Sequence, residues 1–245
     1  MKALGIVPAR FSSSRFPGKP LAMIAGKTMI QRVCERAGMA RSLSGVIVAT
    51  DDDRIFSCVS SFGGKAVMTS PACASGTDRI AEAAAALDAE VILNIQGDEP
   101  LLDPAALDLL VSLFENDSSL RYGTLVTPVV SENELASPNV VKTVMGRDDN
   151  CLYFSRSPIP FLRDGSFRDV RFWRHIGIYG FRRDFLFEFG KLPQGDLEKA
   201  ESLEQLRAIE NGVPVKAARI PDWRGISVDA PEDLVTVEEI IKKGG

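Results

Sequence analysis

The feature that most limits how this chain can fold is an alternation, sustained over its first half, of short apolar runs with longer segments of helical periodicity. Leu4–Val7, Val46–Ala49, Lys65–Met68 and Val91–Ile95 are short, and their apolar character is continuous rather than confined to every second position. Strands buried on both faces read this way, and parallel sheets bury both faces. Between them, Thr28–Met39, Asp52–Phe62 and Thr77–Leu87 carry apolar residues at three- and four-residue intervals, and Ala83–Ala86 adds helix propensity. Asp103-Pro104 predicts a further helix start, an N-capping acid followed by proline at the first helical position. Strand–helix–strand order at this spacing predicts an α/β fold with a doubly wound, mainly parallel sheet. Such sheets bind ligands beyond the carboxyl ends of their strands. The loops to search are therefore Pro8–Leu21, Thr50–Asp53, Ser70–Arg79 and Gln96–Pro100.

The second half is less regular. Val141–Met145, Leu152–Ser155 and Arg174–Phe181 read as strands, Leu197–Asn211 as one helix ended by Asn211-Gly212, and Pro231–Ile241 as a closing helix. The aromatic run Phe181–Phe189 reads as core. Pro158–Arg171, rich in Pro, Gly and Arg, reads as a mobile loop. No internal repeat or linker divides the 245 residues, which predicts a single domain.

Charge and cysteine usage remove several function classes. Lysines and arginines number 29 against 33 acids, a formal charge of −4 with no long basic stripe, so a nucleic-acid partner is not expected. No apolar run approaches the roughly 18 residues that span a bilayer, so membrane insertion is not expected either. Cys34, Cys58, Cys73 and Cys151 form no CxxC pair, as expected in a reducing compartment. Pro8 and Arg10 interrupt the N-terminal apolar stretch before it would serve as a secretion signal. A soluble cytoplasmic protein is the expectation.

Two loops carry the chemistry. Pro8–Leu21 holds Arg10, Arg15 and Lys19 among small hydroxyl residues and Gly18, at the end of the first strand. Fixed backbone donors with point cations suit a triphosphate, whose charge is spread over many oxygens. A solvated basic loop is the plain alternative. No GxGxxG follows a strand, and Gly26-Lys27-Thr28 lacks the upstream glycine of a phosphate-binding P-loop, since that position holds Leu21. In Gln96-Gly-Asp-Glu-Pro100, Gly97 permits a tight turn and Asp98 projects from the sheet edge, a natural ligand for a hard cation such as Mg²⁺. A turn aspartate that caps local amides is the alternative. Asp229 precedes the closing helix, and on spacing alone it reads as an N-cap. Asp51–Asp53 and Asp148-Asp149 read as helix starts and turns.

Taken in order, these segments resemble the CMP-KDO synthetases, the 3-deoxy-manno-octulosonate cytidylyltransferases. The resemblance is carried by Val7-Pro-Ala-Arg10, Ser14-Arg-Phe-Pro-Gly-Lys-Pro-Leu21, Val48-Ala-Thr-Asp51, Ser75-Gly-Thr-Asp-Arg79 and Gln96-Gly-Asp-Glu-Pro100. It continues through Leu152–Pro160, Arg174-His-Ile-Gly-Ile-Tyr-Gly180, Leu203-Glu-Gln-Leu-Arg207 and Val228-Asp-Ala-Pro-Glu-Asp233. One departure stands beside a site: Ser227-Val-Asp-Ala-Pro231 replaces the family's Gly-Val-Asp-Thr-Pro.

The resemblance implies a glycosyltransferase-A-like nucleotidyltransferase fold, a homodimer, and Mg²⁺-dependent transfer of CMP from CTP to 3-deoxy-manno-octulosonate (KDO) for lipopolysaccharide synthesis. It places nucleotide binding mainly in residues 1–120 and sugar binding and dimerisation mainly in 121–215. Ala9, Arg10, Arg15, Lys19, Ser75, Gly76, Thr77 and Arg79 would lie around the nucleotide, with Arg10 and Lys19 on the triphosphate. Asp98 and Asp229 would bind the metal, against the capping role that spacing alone favours for Asp229. Gln96, Arg156, Arg163, His175, Tyr179, Glu204 and Gln205 would serve the sugar. Arg163 would offer the sugar carboxylate a planar fork of donors, and the others a mixture of donors and acceptors. His175 is the only histidine, and a lone His in a strand is more often structural. Glu201 shares a helix face with Gln205 by spacing and would be a neighbour. A related acidic sugar, the 8-amino analogue or sialic acid, is the alternative substrate. A non-catalytic nucleotide-binding protein is the alternative from another class.

Overall fold

The computed structural model describes residues 1–12 and 16–243. In chain order its elements are β1 Ala3–Ala9, β2 Met23–Ile24, β3 Lys27–Thr28, α1 Met29–Ala37, β4 Leu43–Thr50, α2 Asp53–Ser61 and β5 Lys65–Met68. Then come α3 Gly76–Ala84, β6 Val91–Asn94, α4 Pro104–Asn116, β7 Tyr122–Pro128, α5 Glu132–Ala136, β8 Lys142–Met145 and β9 Asn150–Ser155. The chain ends with β10 Trp173–Arg182, α6 Arg183–Phe189, α7 Asp196–Glu201, α8 Leu206–Glu210, β11 Val215–Arg219 and α9 Asp233–Lys242.

Nine of these strands form one sheet in the order β5-β4-β1-β6-β10-β7-β11-β9-β8. The first four pair in parallel, as their unbroken apolar runs predict. In β1 the two faces are both covered: Ala3, Val7 and Ala9 enter one core with α1, α2 and α4, while Leu4 and Ile6 enter the other with α3 and α6. From β10 onward the sheet is mixed. β10 runs antiparallel to both β6 and β7, and β8 pairs back onto β10 at Arg174↔Lys142, curling the second half round. The aromatic run packs as expected: Phe181, Phe185 and Phe189 are buried with ring centroids 5.7 to 6.3 Å apart. Such aromatic pairs add about 0.5–1.5 kcal/mol each beyond their area.

Local chemistry accounts for the element starts. Thr28 caps α1, accepting from Gln31 N, and Asp103 caps α4, accepting from Ala105 N ahead of Pro104 at its first position. The Gly26-Lys27-Thr28 string is the exit of a β-hairpin, with Ala25 and Gly26 both at positive φ (43° and 81°). Asp52 caps α2, and Asp149 sits in a turn at φ 64°, in line with discounting both acidic runs.

One expected element divides. The helix expected over Leu197–Asn211 is α7 and α8 with a turn between them, because Ser202 adopts φ 51° and breaks the ladder. The turn then buries Leu203 and Gln205 rather than pointing them along one helix face. The four-residue spacing of Glu201 and Gln205 therefore does not make them neighbours.

Candidate active site

The chain leaves β1 at the buried Ala9 and enters the cationic loop. Arg10 is exposed and donates from Nη2 to Ala74 O at 3.2 Å, tying the loop to the segment ahead of α3. Arg15 lies outside the described residues. Gly18, at φ 71°, reverses the chain and donates to Phe11 O at 2.9 Å. That turn delivers Lys19, whose Nζ donates to Asp98 Oδ2 and to Val228 O, each at 2.7 Å. Asp229 Oδ1 stands 3.8 Å from the same nitrogen. Three segments far apart in sequence thus meet at one ammonium.

The position of Asp98 depends on Gly97, for a reason other than the turn geometry expected. The turn after β6 passes so close to β1 that a Cβ at residue 97 would lie 3.3 Å from Pro8 O and 3.4 Å from Val7 Cγ1. Asp229 is not the helix cap that its spacing suggests. The N-cap position of α9 is Glu232, with no side-chain cap, and Asp233 Oδ2 instead folds back to accept from the backbone N–H of Asp229 and Ala230 at 2.8 and 2.9 Å. The Asp229 side chain is left 61% exposed and turned toward Lys19. Val228 N donates to Asp98 O at 2.9 Å, so the two carboxylate-bearing segments are joined through backbone as well.

Beside the carboxylates lies a cavity of about 340 Å³, lined among others by Gln96, Asp98, Glu99, Arg174, His175 and Asp229. A second, of about 290 Å³, is lined by Pro8, Gly76, Thr77, Asn94 and Glu204, and the two share Gln96, Tyr179, Leu203 and Gln205. Together they run from the end of β1 past the end of β6 to β10. A bulge in β10 between Ile176 and Tyr179 turns Gly177 into the cavity. Thr124 fills it from β7, with Oγ1 2.9 Å from Ile178 O and 3.0 Å from His175 Nε2. His175 is buried against the edge of Phe154, and burial holds its pKa down to about 3, with Arg174 adding to the effect. The imidazole is therefore neutral at pH 7. Tyr179 OH donates to Gln205 Oε1 at 3.1 Å, and burial pushes the phenol well above its ordinary value. Glu204 accepts from Thr77 Oγ1, and burial raises its pKa. Ser75 caps α3 in a reciprocal box with Asp78, which fixes the backbone from which Thr77 projects.

Some expected residues stand elsewhere. Arg79 is fully buried in the opposite direction, donating to Thr69 Oγ1 at 2.6 Å and pairing with Asp51 at 2.8 Å. It holds the ends of β4 and β5 against α3 and lines neither cavity. Arg156 is spent on backbone carbonyls, those of Glu201 at 2.8 Å and Pro138 at 3.0 Å. Glu201 in turn accepts from Ser155 Oγ and Arg156 N. Arg163 is exposed, lines neither cavity, and has no partner among the described residues. A larger cleft, about 830 Å³, lies behind α1 and α9, but neither Lys19, Asp98 nor Asp229 lines it. The smaller paired cavities are the site because the charged groups converge there.

Two participants escaped the sequence reading. Glu99 is 8% exposed, accepts from Ser227 Oγ, and has no hydrogen-bond partner for Oε2 among the described residues. Burial, reinforced by the charge of Asp98, lifts it to about 7 against the hydrogen bond from Ser227. Arg174 lines the cavity while pairing with Glu134 at 3.1 Å. Both lie inside motifs already singled out, each next to a chosen residue, and adjacency was the signal available. Asp98 and Asp229, both turned toward Lys19 Nζ, offer hard oxygen donors of the kind a divalent cation shares with phosphate oxygens, while no group of three or more acidic, His or Cys side chains among the described residues is placed to hold a metal by itself.

A family model described as cytidylyltransferase matches residues 4–220. A 3-deoxy-manno-octulosonate cytidylyltransferase of Myxococcus xanthus (strain DK1622) is 50% identical over 245 residues, covering 100% of this chain and 98% of the relative. Another, of Solibacter usitatus (strain Ellin6076), is 49% identical over 98% of this chain and 95% of its own. Among solved structures, CMP:2-keto-3-deoxy-manno-octonic acid synthetase complexed with CTP matches with a TM-score of 0.94 at 41% identity, over 99% of both chains. A cytidylyltransferase from Leptospira borgpetersenii serovar Hardjo-bovis (strain JB197), 20% identical over 99% of this chain and 94% of its own with a TM-score of 0.62, shares the fold.

Proposed function

The chain belongs to the cytidylyltransferase family, and from that premise we propose that it transfers CMP from CTP to 3-deoxy-manno-octulosonate. CMP-KDO and pyrophosphate are the products, the first an activated sugar for lipopolysaccharide synthesis. The observation that carries this reading is the meeting of Lys19, Asp98 and Asp229 at the mouth of a polar cavity. Full-length similarity to relatives of that name supports the choice of sugar over sialic acid.

In the reaction, the sugar's anomeric hydroxyl oxygen bonds to the α-phosphorus as the α–β anhydride breaks and pyrophosphate departs. Chemistry of this kind is mostly positioning and charge neutralisation. Ala9, Arg10, Ser75, Gly76 and Thr77 surround the nucleotide, with Arg15 assigned by its place in the sequence alone. Arg10 and Lys19 offset charge on the departing pyrophosphate. Arg79 acts at one remove, by holding α3. Gln96, Tyr179, Glu204 and Gln205 meet the sugar hydroxyls, and the neutral His175 contributes a hydrogen bond rather than a charge. Asp98 and Asp229 would hold Mg²⁺, which when bound supplies charge neutralisation for phosphate oxygens and acidifies a nearby hydroxyl.

Residues 1–120 serve mainly the nucleotide, and 121–215 mainly the sugar and pairing with a second copy. No helix among the described residues is long and apolar enough to cross a membrane, in keeping with a cytoplasmic site of action. The test is pyrophosphate release from CTP with KDO, against CTP alone and against ATP or GTP with KDO. Release only with CTP and KDO together is expected. Equal release from a purine triphosphate, or none with any acidic sugar, would sink the reading.

A further inference from the structure

Between α5 and β8 the chain runs through a turn, residues 137–140, none of whose side chains is buried. Asn139 and Val140 nevertheless form part of the wall of the cavity that holds Asp98, His175 and Asp229. Apolar packing does not fix this wall, so its backbone must be held by polar contacts. Two cations hold it. Lys142 is fully buried at the start of β8, and its Nζ donates to Ser137 O at 2.8 Å, to Val140 O at 2.7 Å and to Arg156 O. An ammonium has three donors, and here all three meet backbone carbonyls. No carboxylate among the described residues lies within ion-pair distance of it. From the outer side, Arg156 Nη1 donates to Pro138 O at 3.0 Å. Three of the turn's four carbonyls are thus clamped by the two residues. A methionine would fill the Lys142 space without the cost of burying a charge. What the ammonium adds is position.

We propose that Lys142 and Arg156 are positioning residues of the sugar subsite, holding the 137–140 turn in the shape that sets Asn139 and Val140 against the acidic sugar. The proposal rests on the sugar assignment above, and for Arg156 it replaces the direct sugar contact expected from sequence. The turn lines the cavity with the carboxylates and not the neighbouring one with Pro8, Gly76 and Thr77, so its loss should be felt by the sugar and not by CTP.

The experiment compares wild type with Lys142→Met and Arg156→Gln. KM for KDO, KM for CTP and amide exchange over residues 136–142 are measured in the full-length protein. Lys142→Met is expected to raise KM for KDO about tenfold or more, to leave KM for CTP within about twofold, and to speed exchange in the turn about tenfold. Arg156→Gln should do the same to a smaller degree, with Arg156→Lys between it and wild type. Should Lys142→Met fail to fold, the Arg156 pair carries the same test from the exposed side. Parallel rises in both KM values, or unchanged exchange in the turn, would overturn the proposal. Exchange needs no sugar, so a wild-type protein inactive with KDO would fail the sugar assignment while the clamp was still judged on the turn.

Discussion

His175 carries a burden that shows in acid. Its imidazole is held at about 3 in the fold, against 6.5 in an unfolded chain, because burial and Arg174 both oppose the charged form. An unfolded chain therefore takes up a proton at this position below pH 6.5 that the folded protein refuses until near pH 3. The stability linked to the neutral ring is complete above the unfolded value and drains away as pH falls. At pH 5 the loss should be about 2 kcal/mol, and His175→Gln, which cannot titrate, should lack it. Denaturant melts of both proteins at pH 7 and pH 5 would show the difference, and equal acid slopes would mean the ring is charged in the fold. A second residue-scale question is which arginine meets the sugar carboxylate. Arg174 lines the cavity but is paired with Glu134, whereas Arg163 is unpaired among the described residues but outside the cavity. Arg163→Ala should raise KM for KDO about ten- to a hundredfold while sparing CTP, the cost of one charge-assisted partner. An unchanged KM there, with the rise appearing in Arg174→Ala instead, would move the role to Arg174.

At the scale of elements, the turn after β6 shows how little slack the site has. Asp98 is aimed by a backbone that passes within reach of Pro8, and a methyl at residue 97 would meet a carbonyl oxygen at 3.3 Å, not a movable side chain. Gly97→Ala should therefore displace the turn by a few tenths of an ångström. We expect kcat to fall about tenfold or more, with a melting temperature near that of wild type, since misplacement of a reacting group costs rate steeply. An unchanged kcat would show that the turn has room. This contact also marks the limit of what the sequence discloses. Parallel strands, their helices and the caps Thr28, Asp52 and Asp103 are written locally, in apolar runs and side chains that reach only two or three residues. The break at Ser202 is not, because a left-handed serine serves the burial of Leu203 and Gln205 against distant strands. That α9 starts at Asp233, with Glu232 and not Asp229 at its N-cap position, is similarly invisible, since the turn between is set by Asp233 reaching back to the N–H groups of Asp229 and Ala230. Arg79 misleads in the same way: its place in a motif says that it matters, and only the fold shows it pairing inward with Asp51.

The whole molecule is closed at the site, where an N-terminal loop, the turn after a central strand and a segment near the C-terminus share one ammonium. Lys19 Nζ reaches Asp98 at 2.7 Å and Asp229 at 3.8 Å, and α9 buries Val237 with Ile24, Met29 and Val228 just behind. Two carboxylates drawn together would repel without a cation between them. Lys19 supplies that cation in the protein alone. A divalent ion arriving at the carboxylates competes with it, and a triphosphate gives the ammonium somewhere else to go. Metal binding without nucleotide should therefore be weak, and stronger once CTP draws Lys19 toward its phosphates. Lys19→Met makes the argument testable, because it keeps the stem and removes the competitor. Titration calorimetry with Mg²⁺ in the absence of nucleotide should show about tenfold tighter binding to Lys19→Met than to wild type, the worth of one partly exposed ion pair. The same variant should turn over CTP and KDO about a hundredfold more slowly, having lost its charge on the departing pyrophosphate. Tighter metal binding with slower turnover would separate the two duties of one side chain. If Mg²⁺ bound no better to the variant, the carboxylates would not be sharing an ion, and Asp229 would lose its place beside Asp98.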